Sequence, residues 1–448
     1  MGPVDFFGFS PYQSPSAFAG NPLLIDLEDL VERKLLTKKD IAPEKSPEKN
    51  FADFEQAWIF KREALKKAYA AFKRPYPEDY TEFIERQTYW LDDFALFTAL
   101  KEYYHGEAWV KWPKEARTRQ QSYLAKLKTK LADEIGFVKF QQYIFDAQWK
   151  KIHEYANEKG IEILGDMPIF VSHDSADCWA NQHLFDLNEE GAPNTVAGVP
   201  PDYFSATGQL WGNPQYDWDA MKAENYAWWK NRFEKLYETV DIVRIDHFRG
   251  FEAYWEVKGS AKTAINGKWV KGPGKPFFDS IRIALGKLPI VAEDLGIITD
   301  EVEALRAACD FPGMQVLHFA LNFAGDNRYG FVSSENSVVY TGTHDNNTTL
   351  GWYERELSEE HKLALSNLLG ADMDNSNDVA KKLVEFAYKT DARMAIIPLQ
   401  DLLFLDSKHR MNTPGTVGMN WKWRATEKDL EALDTDWLRK LTEDTNRG

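Results

Sequence analysis

The sequence predicts an α/β fold built on a parallel sheet, and three observations support that prediction. Apolar runs four to eight positions long recur along the chain, as expected for buried parallel strands. Amphipathic stretches separate several of these runs, and strands that alternate with helices form parallel sheets. Polar and charged residues follow each run, at the carboxyl end of the predicted strand. The six runs are 161–171, 241–250, 289–296, 314–321, 337–346 and 394–403.

The predicted helices between the runs have recognisable ends. Residues 140–160 are amphipathic and stop at Gly160, just before the first run. Residues 299–310 begin at Thr299, a favourable N-cap, and carry acidic residues in the first turn. A third amphipathic stretch, 377–390, precedes the last run.

The parallel sheet is predicted to be a (β/α)8 TIM barrel with helical insertions rather than an open doubly wound sheet. Open sheets bind nucleotides through a glycine-rich first turn, and neither G-x-G-x-x-G nor G-x-x-x-x-G-K occurs in this sequence. The architecture needs eight strands, whereas the runs account for six. We therefore expect the first two barrel strands to be missing from this chain and to lie upstream of Met1.

The pattern divides the chain into four predicted segments. A long aromatic loop rich in Gly and Pro, at 191–218, interrupts the third of them, and loops of that length are often functional. The segments are a barrel loop region with part of the site at 1–45, a helical insertion at 46–135, the catalytic barrel at 136–424 and a surface helix at 425–448.

The composition favours an uncharged small molecule as the partner. The 448 residues include 54 Lys and Arg against 70 Asp and Glu, which gives a net charge of -16. No basic stripe is present, and this argues against nucleic acid and anionic membrane as partners. The 16 Trp residues either pack in the core or offer stacking surfaces for the flat apolar faces of ligands such as sugar rings.

Cysteine usage and hydropathy indicate the compartment. The two cysteines, Cys178 and Cys309, argue against a disulfide scaffold and fit a reducing environment. No apolar run approaches the ~20 residues of a membrane helix, and the N-terminus lacks a signal-peptide pattern. We therefore predict a cytoplasmic protein without a membrane partner.

Residues 241–250, DIVRIDHFRG, place titratable groups inside a strand pattern. Side chains alternate along a strand, so Arg244 and Asp246 share a face. A guanidinium beside a carboxylate keeps the carboxylate ionised and lowers its pKa, which suits a nucleophile. The alternative is a structural Asp–Arg pair at the end of the strand.

Two more acidic groups follow other runs. Glu293 lies beside Val291 and Ala292, and partial burial would raise its pKa, as a general acid requires. The alternative is that Glu293 and Asp294 cap a helix. His344 and Asp345 follow a third strand, where a metal site is the alternative interpretation, although the histidines show no ligand spacing such as H-E-x-x-H.

A metal is also disfavoured elsewhere. The loop with Asp166, His173, Asp174 and Asp177 is rich in acids but lacks the D-x-D-x-D-G spacing of a calcium loop. Three carboxylates at the carboxyl ends of barrel strands are what glycoside chemistry requires, one to attack the anomeric carbon and another to protonate the leaving oxygen. We expect Asp246, Glu293 and Asp345 to converge around one sugar unit, and we expect no cofactor because carboxylates do all the chemistry.

Seven ordered blocks of the sequence resemble the 4-α-glucanotransferases of the amylomaltase, or disproportionating enzyme, family, which is glycoside hydrolase family 77. The resemblance extends through nearly the whole chain. The blocks are SPYQSPSAFAGNPLLIDL (10–27), GDMPIFVSHDSADCWA (165–180), GVPPDYFSATGQLWGNPQYDW (198–218), VRIDHFRG (243–250), VAEDLG (291–296), GTHDNNTTLGWY (342–353) and RMNTPGTVGMNWKWR (410–424).

The resemblance implies a retaining enzyme that cuts an α-1,4-glucan and transfers the fragment to the 4-hydroxyl of glucose or of another glucan. It makes Asp246 the nucleophile, Glu293 the acid/base and Asp345 the group that stabilises the oxocarbenium-like transition state. Maltooligosaccharides and α-1,4-glucans would be the partners, with glucose as an acceptor, and the protein would be a monomer or homodimer. The binding residues that it implies are Tyr12, Asp166, Tyr203, Phe204, Gln209, Trp211, Arg244, His344, Phe319, Asn412, Thr413 and Pro414.

The aromatic loop has an implied role in this chemistry. A glucanotransferase must keep water away from the glycosyl-enzyme while the acceptor sugar arrives, and closing lids exclude water. We hypothesise that residues 198–213 are such a lid, so that shortening them raises hydrolysis relative to transfer.

The sequence departs from the family pattern at its start and at two positions. Family members begin well before the SPYQ block, with a strand and loop of the LLHPTSLP kind and a strand ending VLPL. Asn347 stands where Asp is more usual and Met419 where Gly is common, and both are expected to be tolerated. The alternatives to a transferase are an α-glucan hydrolase and an inactive, truncated glucan-binding remnant.

Overall fold

The computed structural model of the chain describes residues 2–4, 9–42, 50–72, 75–201, 205–321, 334–416 and 418–447. The chain forms two compact units that alternate along the sequence. The first unit comprises Met1–Lys45, Phe54–Ile290 and Ile298–Cys309, and the second comprises Ser46–Asp53, Val291–Ile297 and Asp310–Gly448.

The first unit begins with helices. The longest, α7 (Ala132–Glu158), ends just before Gly160, where a positive φ of +73° ends the right-handed helix at little cost to a glycine. The helices that precede the first strand are α1 (Leu27–Glu32), α2 (Phe54–Ala71), α3 (Glu78–Arg86), α4 (Thr88–Tyr103), α5 (Lys114–Arg117), α6 (Gln121–Lys130) and α7 (Ala132–Glu158).

The remaining elements of the first unit are seven strands and five α-helices among the residues described. They are β1 (Leu164–Pro168), α8 (Ala176–Ala180), β2 (Thr195–Val199), β3 (Gln209–Pro214), α9 (Trp218–Ala223), α10 (Ala227–Tyr237), β4 (Ile242–Asp246), β5 (Ala253–Lys258), β6 (Gly267–Lys271), α11 (Gly274–Leu285), β7 (Ile290–Ala292), within which the chain enters the second unit, and α12 (Asp300–Cys309).

A parallel sheet with the strand order β1-β4-β7 positions the first predicted carboxylate. In the register of β1 and β4, Asp166 lies opposite Arg244 and Pro168 opposite Asp246. Val243 and Ile245 are fully buried on one face of β4, which leaves Arg244 and Asp246 together on the other face.

A second sheet of the first unit corrects the prediction of a loop at 191–218. Strands β2 and β3 lie within that range and form an antiparallel sheet with β5 and β6, in the order β3-β2-β5-β6. Gly, Pro and polar residues interrupt the alternation of apolar and polar side chains that is typical of a strand, and the sequence therefore predicted a loop. Only the parts of 191–218 outside β2 and β3 are free of strand structure among the residues described.

The second unit contains a parallel sheet with the order β10-β9-β8. Its core consists of buried apolar side chains from β9 and the helices that follow, including Trp352, Leu365 and Leu383. The elements are β8 (Gly313–Val316), α13 (Leu317–Ala320), β9 (Ser337–Tyr340), α14 (Thr349–Arg355), α15 (Glu359–Leu369), α16 (Ser376–Tyr388), β10 (Met394–Ile396), α17 (Leu399–Leu402), α18 (Glu427–Glu431) and α19 (Thr435–Asp444).

Each of the six apolar runs contributes a strand, so the alternation of helices and parallel strands is present as predicted. Two details differ. The run 314–321 forms a strand only as far as Val316 and then turns into the short helix α13. The segment 425–448 forms two helices instead of one. Within the described part of the chain, no helix is long and apolar enough to cross a membrane.

Candidate active site

Four of the predicted site residues meet at the carboxyl ends of β1 and β4, and we call Tyr12, Asp166, Arg244 and Asp246 the Asp246 cluster. Arg244 is its centre. Its Nε donates to Asp166 Oδ1 at 2.9 Å and its Nη2 to Asp166 Oδ2 at 2.7 Å. The same Nη2 lies 3.2 Å from Asp246 Oδ1 and 3.1 Å from the Tyr12 hydroxyl. Tyr12 in turn donates to Asp166 Oδ2 at 2.5 Å.

The electrostatics of the Asp246 cluster explain how a strand can hold several titratable groups. Burial by itself would lower the pKa of Arg244, but the charges of Asp166 and Asp246 outweigh that effect and raise this pKa well above its ordinary value. Burial and the same two carboxylates raise the pKa of Tyr12, which therefore stays a neutral donor. The guanidinium is the fixed positive charge of the cluster, and its side chain is only 9% exposed.

His247, the residue after Asp246, contacts the antiparallel sheet. His247 adopts a left-handed conformation, with φ of +52°, and turns the chain away from β4. Its ring lies edge-on to Trp211, with centroids 4.8 Å apart. Burial, and next the charge of Arg249, lower the pKa of His247 to about 3, so this ring is neutral.

The aromatic segment predicted to cover the site is described in part. Gln209 and Trp211 lie two residues apart on β3, and the indole N–H of Trp211 lies 3.3 Å from Gln209 Oε1. The structure thus brings Trp211 next to His247 and so beside the Asp246 cluster. Tyr203 and Phe204 lie outside the described residues.

Glu293 follows β7 in the second unit and is half-buried beside Val291 and Ala292, both of which are buried. Its Oε1 accepts the backbone N–H of Leu295 at 2.9 Å. The neighbouring Asp294 accepts the backbone N–H of Met314 at 2.7 Å. A Cβ at Gly313 would lie 2.3 Å from Asp294 Oδ2, so glycine is needed there for the close approach. Asp294 is therefore a structural residue that fixes this segment against the start of β8.

His344 and Asp345 follow β9, and together with Arg410 and Asn412 we call them the Asp345 cluster. Asn412 Nδ2 donates to Asp345 Oδ1 at 2.6 Å, and the backbone N–H of Asn412 donates to the His344 carbonyl at 3.0 Å. Arg410 donates through Nη2 to the backbone oxygen of Asp345 and through Nε to that of Asn412. The Asp345 side chain is 49% exposed.

A buried network underlies the turn that carries Asp345. Asp401 accepts hydrogen bonds from the hydroxyls of Thr341 and Thr349 and from the Thr349 backbone N–H, at 2.6 to 2.8 Å. Since the Thr349 hydroxyl donates to Asp401, it accepts from Nε2 of His318, 2.9 Å away. His318 stacks on Trp352, and burial with the nearby charge of Arg410 lowers its pKa to about 3. The buried carboxylate of Asp401 therefore binds both ends of this turn, at Thr341 and at Thr349.

The other predicted residues of the second unit lie around these elements. Phe319 is half-buried on α13, Thr413 accepts from Asn420, and Pro414 is exposed. The ring of His344 lies 5.4 Å from that of Trp421. The convergence of Asp246, Glu293 and Asp345 stays a prediction. Among the residues described, no group of three or more His, Cys, Asp or Glu side chains is arranged to hold a metal ion.

Sequence reasoning missed three residues that organise the second unit, Arg410, Asp401 and His318. Asp401 could have been found, because it lies near the end of the last apolar run, 394–403, as Asp246 lies in the second, 241–250. Arg410 gave no such signal: it lies in an irregular segment, and its contact with Asp345 spans 65 positions.

Comparison with known proteins shows the family of the chain. The family model described as 4-alpha-glucanotransferase matches residues 1–430. A 4-alpha-glucanotransferase of Thermus thermophilus is 45% identical over 457 aligned residues, which cover 100% of this chain and 90% of that protein. One from a Synechocystis species is 46% identical over 450, covering 98% of this chain and 87% of the relative.

Among solved structures, the amylomaltase of Streptococcus agalactiae in complex with acarbose superposes with a TM-score of 0.93 at 37% identity, over 100% of this chain and 90% of that one. This likeness confirms the predicted α/β fold class, that of a (β/α)8 barrel enzyme. Together with the match of the family model over 1–430, it shows that the chain belongs to the 4-alpha-glucanotransferase family, the amylomaltases.

Proposed function

We propose that this 4-alpha-glucanotransferase works by a retaining double displacement in which Asp246 is the nucleophile. The Asp246 carboxylate attacks the anomeric carbon while the glycosidic bond breaks and Glu293 protonates the departing 4-oxygen. The 4-hydroxyl of the acceptor then attacks the same carbon, Glu293 takes its proton, and the Asp246 carboxylate is released. The proposal requires Asp345 to act on the same glucose unit.

The observation that carries this proposal is the position of Arg244. Its guanidinium lies 3.2 Å from Asp246 Oδ1 and is held by two hydrogen bonds to Asp166. A nucleophile must be ionised and aimed, and a buried cation that cannot rotate supports both. Because Arg244 is already shared with Asp166, it neutralises Asp246 only in part, which leaves the carboxylate able to attack.

The environment of Glu293 supports the acid/base role. Its Oε1 accepts the Leu295 N–H, so in the protonated acid the proton resides on Oε2. Buried apolar neighbours disfavour the charged form of such a group. The backbone therefore fixes one oxygen of the Glu293 carboxyl group, and the proposed mechanism has this group donate a proton and later take one back.

Asp345 is suited to stabilise positive charge rather than to form a bond. Its Oδ1 accepts a hydrogen bond from the neutral amide of Asn412 at 2.6 Å and lies 3.5 Å from Nε2 of His344. A full negative charge near an oxocarbenium-like centre stabilises the transition state more than the ground state.

The binding partners follow from the same chemistry. α-1,4-Glucans and maltooligosaccharides are the donors, and we infer glucose or another glucan as the acceptor. The amylomaltase of S. agalactiae was solved with acarbose, which supports a saccharide site in this chain. The two buried free cysteines, Cys178 and Cys309, fit a reducing, cytoplasmic compartment.

Trp211 is the described residue that best supports the exclusion of water. Its ring packs on His247, next to the nucleophile. We infer that β3 and the segment before it shield the glycosyl-enzyme, as hypothesised for residues 198–213. Trp211→Ala is then expected to raise the ratio of hydrolysis to transfer, and an unchanged ratio would count against the shield.

The deciding experiment traps the intermediate. Incubating Glu293→Gln with maltosyl fluoride, whose leaving group needs no acid, should give an adduct one maltosyl unit heavier, which peptide mass spectrometry locates on Asp246. The double variant Glu293→Gln/Asp246→Asn should give none. An adduct on another residue, or none on the single variant, would refute the assignment.

Product analysis with maltotriose tests the activity itself. Longer maltodextrins and glucose are expected, without a steady gain of reducing ends. Asp246→Asn, Glu293→Gln and Asp345→Asn should each lose turnover by about 10³-fold or more, whereas the control Asp279→Asn, which removes an exposed acid paired with Lys275, should not.

A further inference from the structure

Arg410 binds the chain around Asp345 without touching the carboxylate in any of its described hydrogen bonds. One arm of its guanidinium, Nη2, donates to the backbone oxygen of Asp345. Nε donates to the backbone oxygen of Asn412 at 2.7 Å. One rigid plane thus joins two segments that lie 67 positions apart, at Asp345 and Asn412.

The segment that contains Asn412 also binds the Asp345 carboxylate. Asn412 Nδ2 donates to Asp345 Oδ1 at 2.6 Å. Its backbone N–H donates to the carbonyl of His344. Asp345 is therefore fixed at its backbone by Arg410 and at its side chain by Asn412, and Arg410 sets the position of both.

Glu356 is an acidic residue that lies near Arg410. Its Oε1 lies 3.9 Å from Nη1 of Arg410 and accepts the side-chain N–H of Asn347 at 2.8 Å. Asn347 also donates to the Ser407 hydroxyl at 3.0 Å. The guanidinium thus has Glu356 at one end and two backbone carbonyls at the other.

We propose that Arg410, oriented by Glu356, is a positioning residue that holds the Asp345 carboxylate in its catalytic place. The inference rests on the proposed role of Asp345. A carboxylate that is half exposed on a turn has several rotamers, and each unproductive one lowers the fraction of enzyme ready to react. In this role Arg410 acts through Asp345.

Arginine is the side chain that this task requires. The planar guanidinium presents N–H groups in a fixed fork, so fixing Nη2 on one carbonyl also fixes Nε on the other. A lysine ammonium carries the same charge on a flexible stem and cannot impose that geometry. Arg410→Lys should therefore retain the fold and lose much of the positioning.

The test compares Arg410→Ala with Arg447→Ala, a matched control variant in the second unit. Arg447 likewise donates to backbone carbonyls, those of Tyr388, Thr390 and Ala392, but has no tie to Asp345. In transfer from maltotriose, Arg410→Ala should lose kcat on the order of 10²-fold, with KM little changed. Arg447→Ala should keep kcat even if its thermal unfolding midpoint falls.

Two further readouts separate positioning from folding. Guanidinium chloride at low, non-denaturing concentration should restore part of the kcat of Arg410→Ala, and Arg410→Lys should lie between that variant and the wild type. Glu356→Gln should lower kcat less than Arg410→Ala does. Adding Arg410→Ala to Asp345→Asn should cause no further loss, because a residue that acts through Asp345 has no effect once that carboxylate is gone.

The outcomes distinguish this inference from the proposed function. If Asp345→Asn is inactive while Arg410→Ala has wild-type kcat, the inference fails and the proposed function stands. If the losses of the two variants multiply in the double variant, Arg410 acts independently and the inference also fails. If Asp345→Asn retains full turnover, the proposed role of Asp345 is wrong.

Discussion

The Asp246 cluster and the Asp345 cluster hold their carboxylates in opposite ways. Asp246 lies beside a buried cation, and its side chain is 30% exposed. Asp345 is 49% exposed and is held by an amide on its side chain and a guanidinium on its backbone. Charge sets the state of the first carboxylate, and geometry sets the place of the second.

The difference matches what each group has to do in the proposed mechanism. A nucleophile must be ionised before it attacks, and a nearby guanidinium favours the ionised form. A group that stabilises developing positive charge must keep its own charge available, and a cation bonded directly to it would neutralise that charge. Arginine serves both clusters, but only Arg244 uses its charge on the carboxylate itself.

The largest effect is expected from Arg244→Gln. The change leaves Asp166 and Asp246 side by side without the buried cation, and breaking a buried pair costs about 3–5 kcal/mol of unfolding free energy. Both stability in urea and kcat should fall, whereas Arg410→Gln should lower kcat and leave stability nearly unchanged. Equal stability losses for the two arginines would remove the contrast between the clusters.

Acid should destabilise the protein through two buried neutral histidines outside the clusters, His247 directly after Asp246 and His318 beneath the turn that carries Asp345. The pKa of His247 and of His318 is lowered to about 3 in the folded protein, against about 6.5 in the unfolded chain. Between these values the unfolded state binds more protons, so stability falls as pH drops below about 6.5, by about 1.4 kcal/mol per pH unit for each histidine.

The histidine effect is measured as the pH dependence of the unfolding free energy between pH 7 and pH 5. His318→Gln should flatten the curve relative to the wild type. The control His105→Asn, which changes an exposed histidine, should leave the slope as it is. A wild-type slope in His318→Gln would show that this ring is not neutral in the folded state.

A smaller effect is expected from Tyr12→Phe in the Asp246 cluster. The phenol hydroxyl connects Asp166 with Arg244, and its loss removes hydrogen bonds worth about 1–2 kcal/mol while the ring is kept. The measured quantities are the unfolding free energy and kcat. A kcat loss as large as that of Arg244→Gln would mean that Tyr12, rather than Arg244, orders the cluster.

The smallest effect is expected from Asn347→Asp, which restores the residue more usual in the family pattern. Here the Asn347 amide donates to Glu356 and Ser407, and a carboxylate would face Glu356 instead. Stability should fall by about 1 kcal/mol at pH 8 and recover toward pH 4, where a shared proton relieves the repulsion. A pH-independent loss would point to packing rather than charge. Met419, the other departure, is exposed, which agrees with its expected tolerance.

Local pattern was enough to predict much of this protein from its sequence. The six apolar runs predicted strands because burial in a parallel sheet demands short apolar segments. Alternation along β4 predicted that Arg244 and Asp246 share a face, and the sequence blocks predicted the family. These features depend on residues close together in the chain, so they can be predicted from the sequence alone.

Only the tertiary structure decided which distant residues complete each cluster. Asp166 became the bidentate partner of Arg244 through the register of β1 and β4, which joins residues 78 positions apart. The antiparallel sheet at β2 and β3 and the contact of Arg410 with Asp345 arose in the same way. Strand register and loop closure are set by packing across the whole fold. The periodicity of the sequence therefore does not predict these contacts.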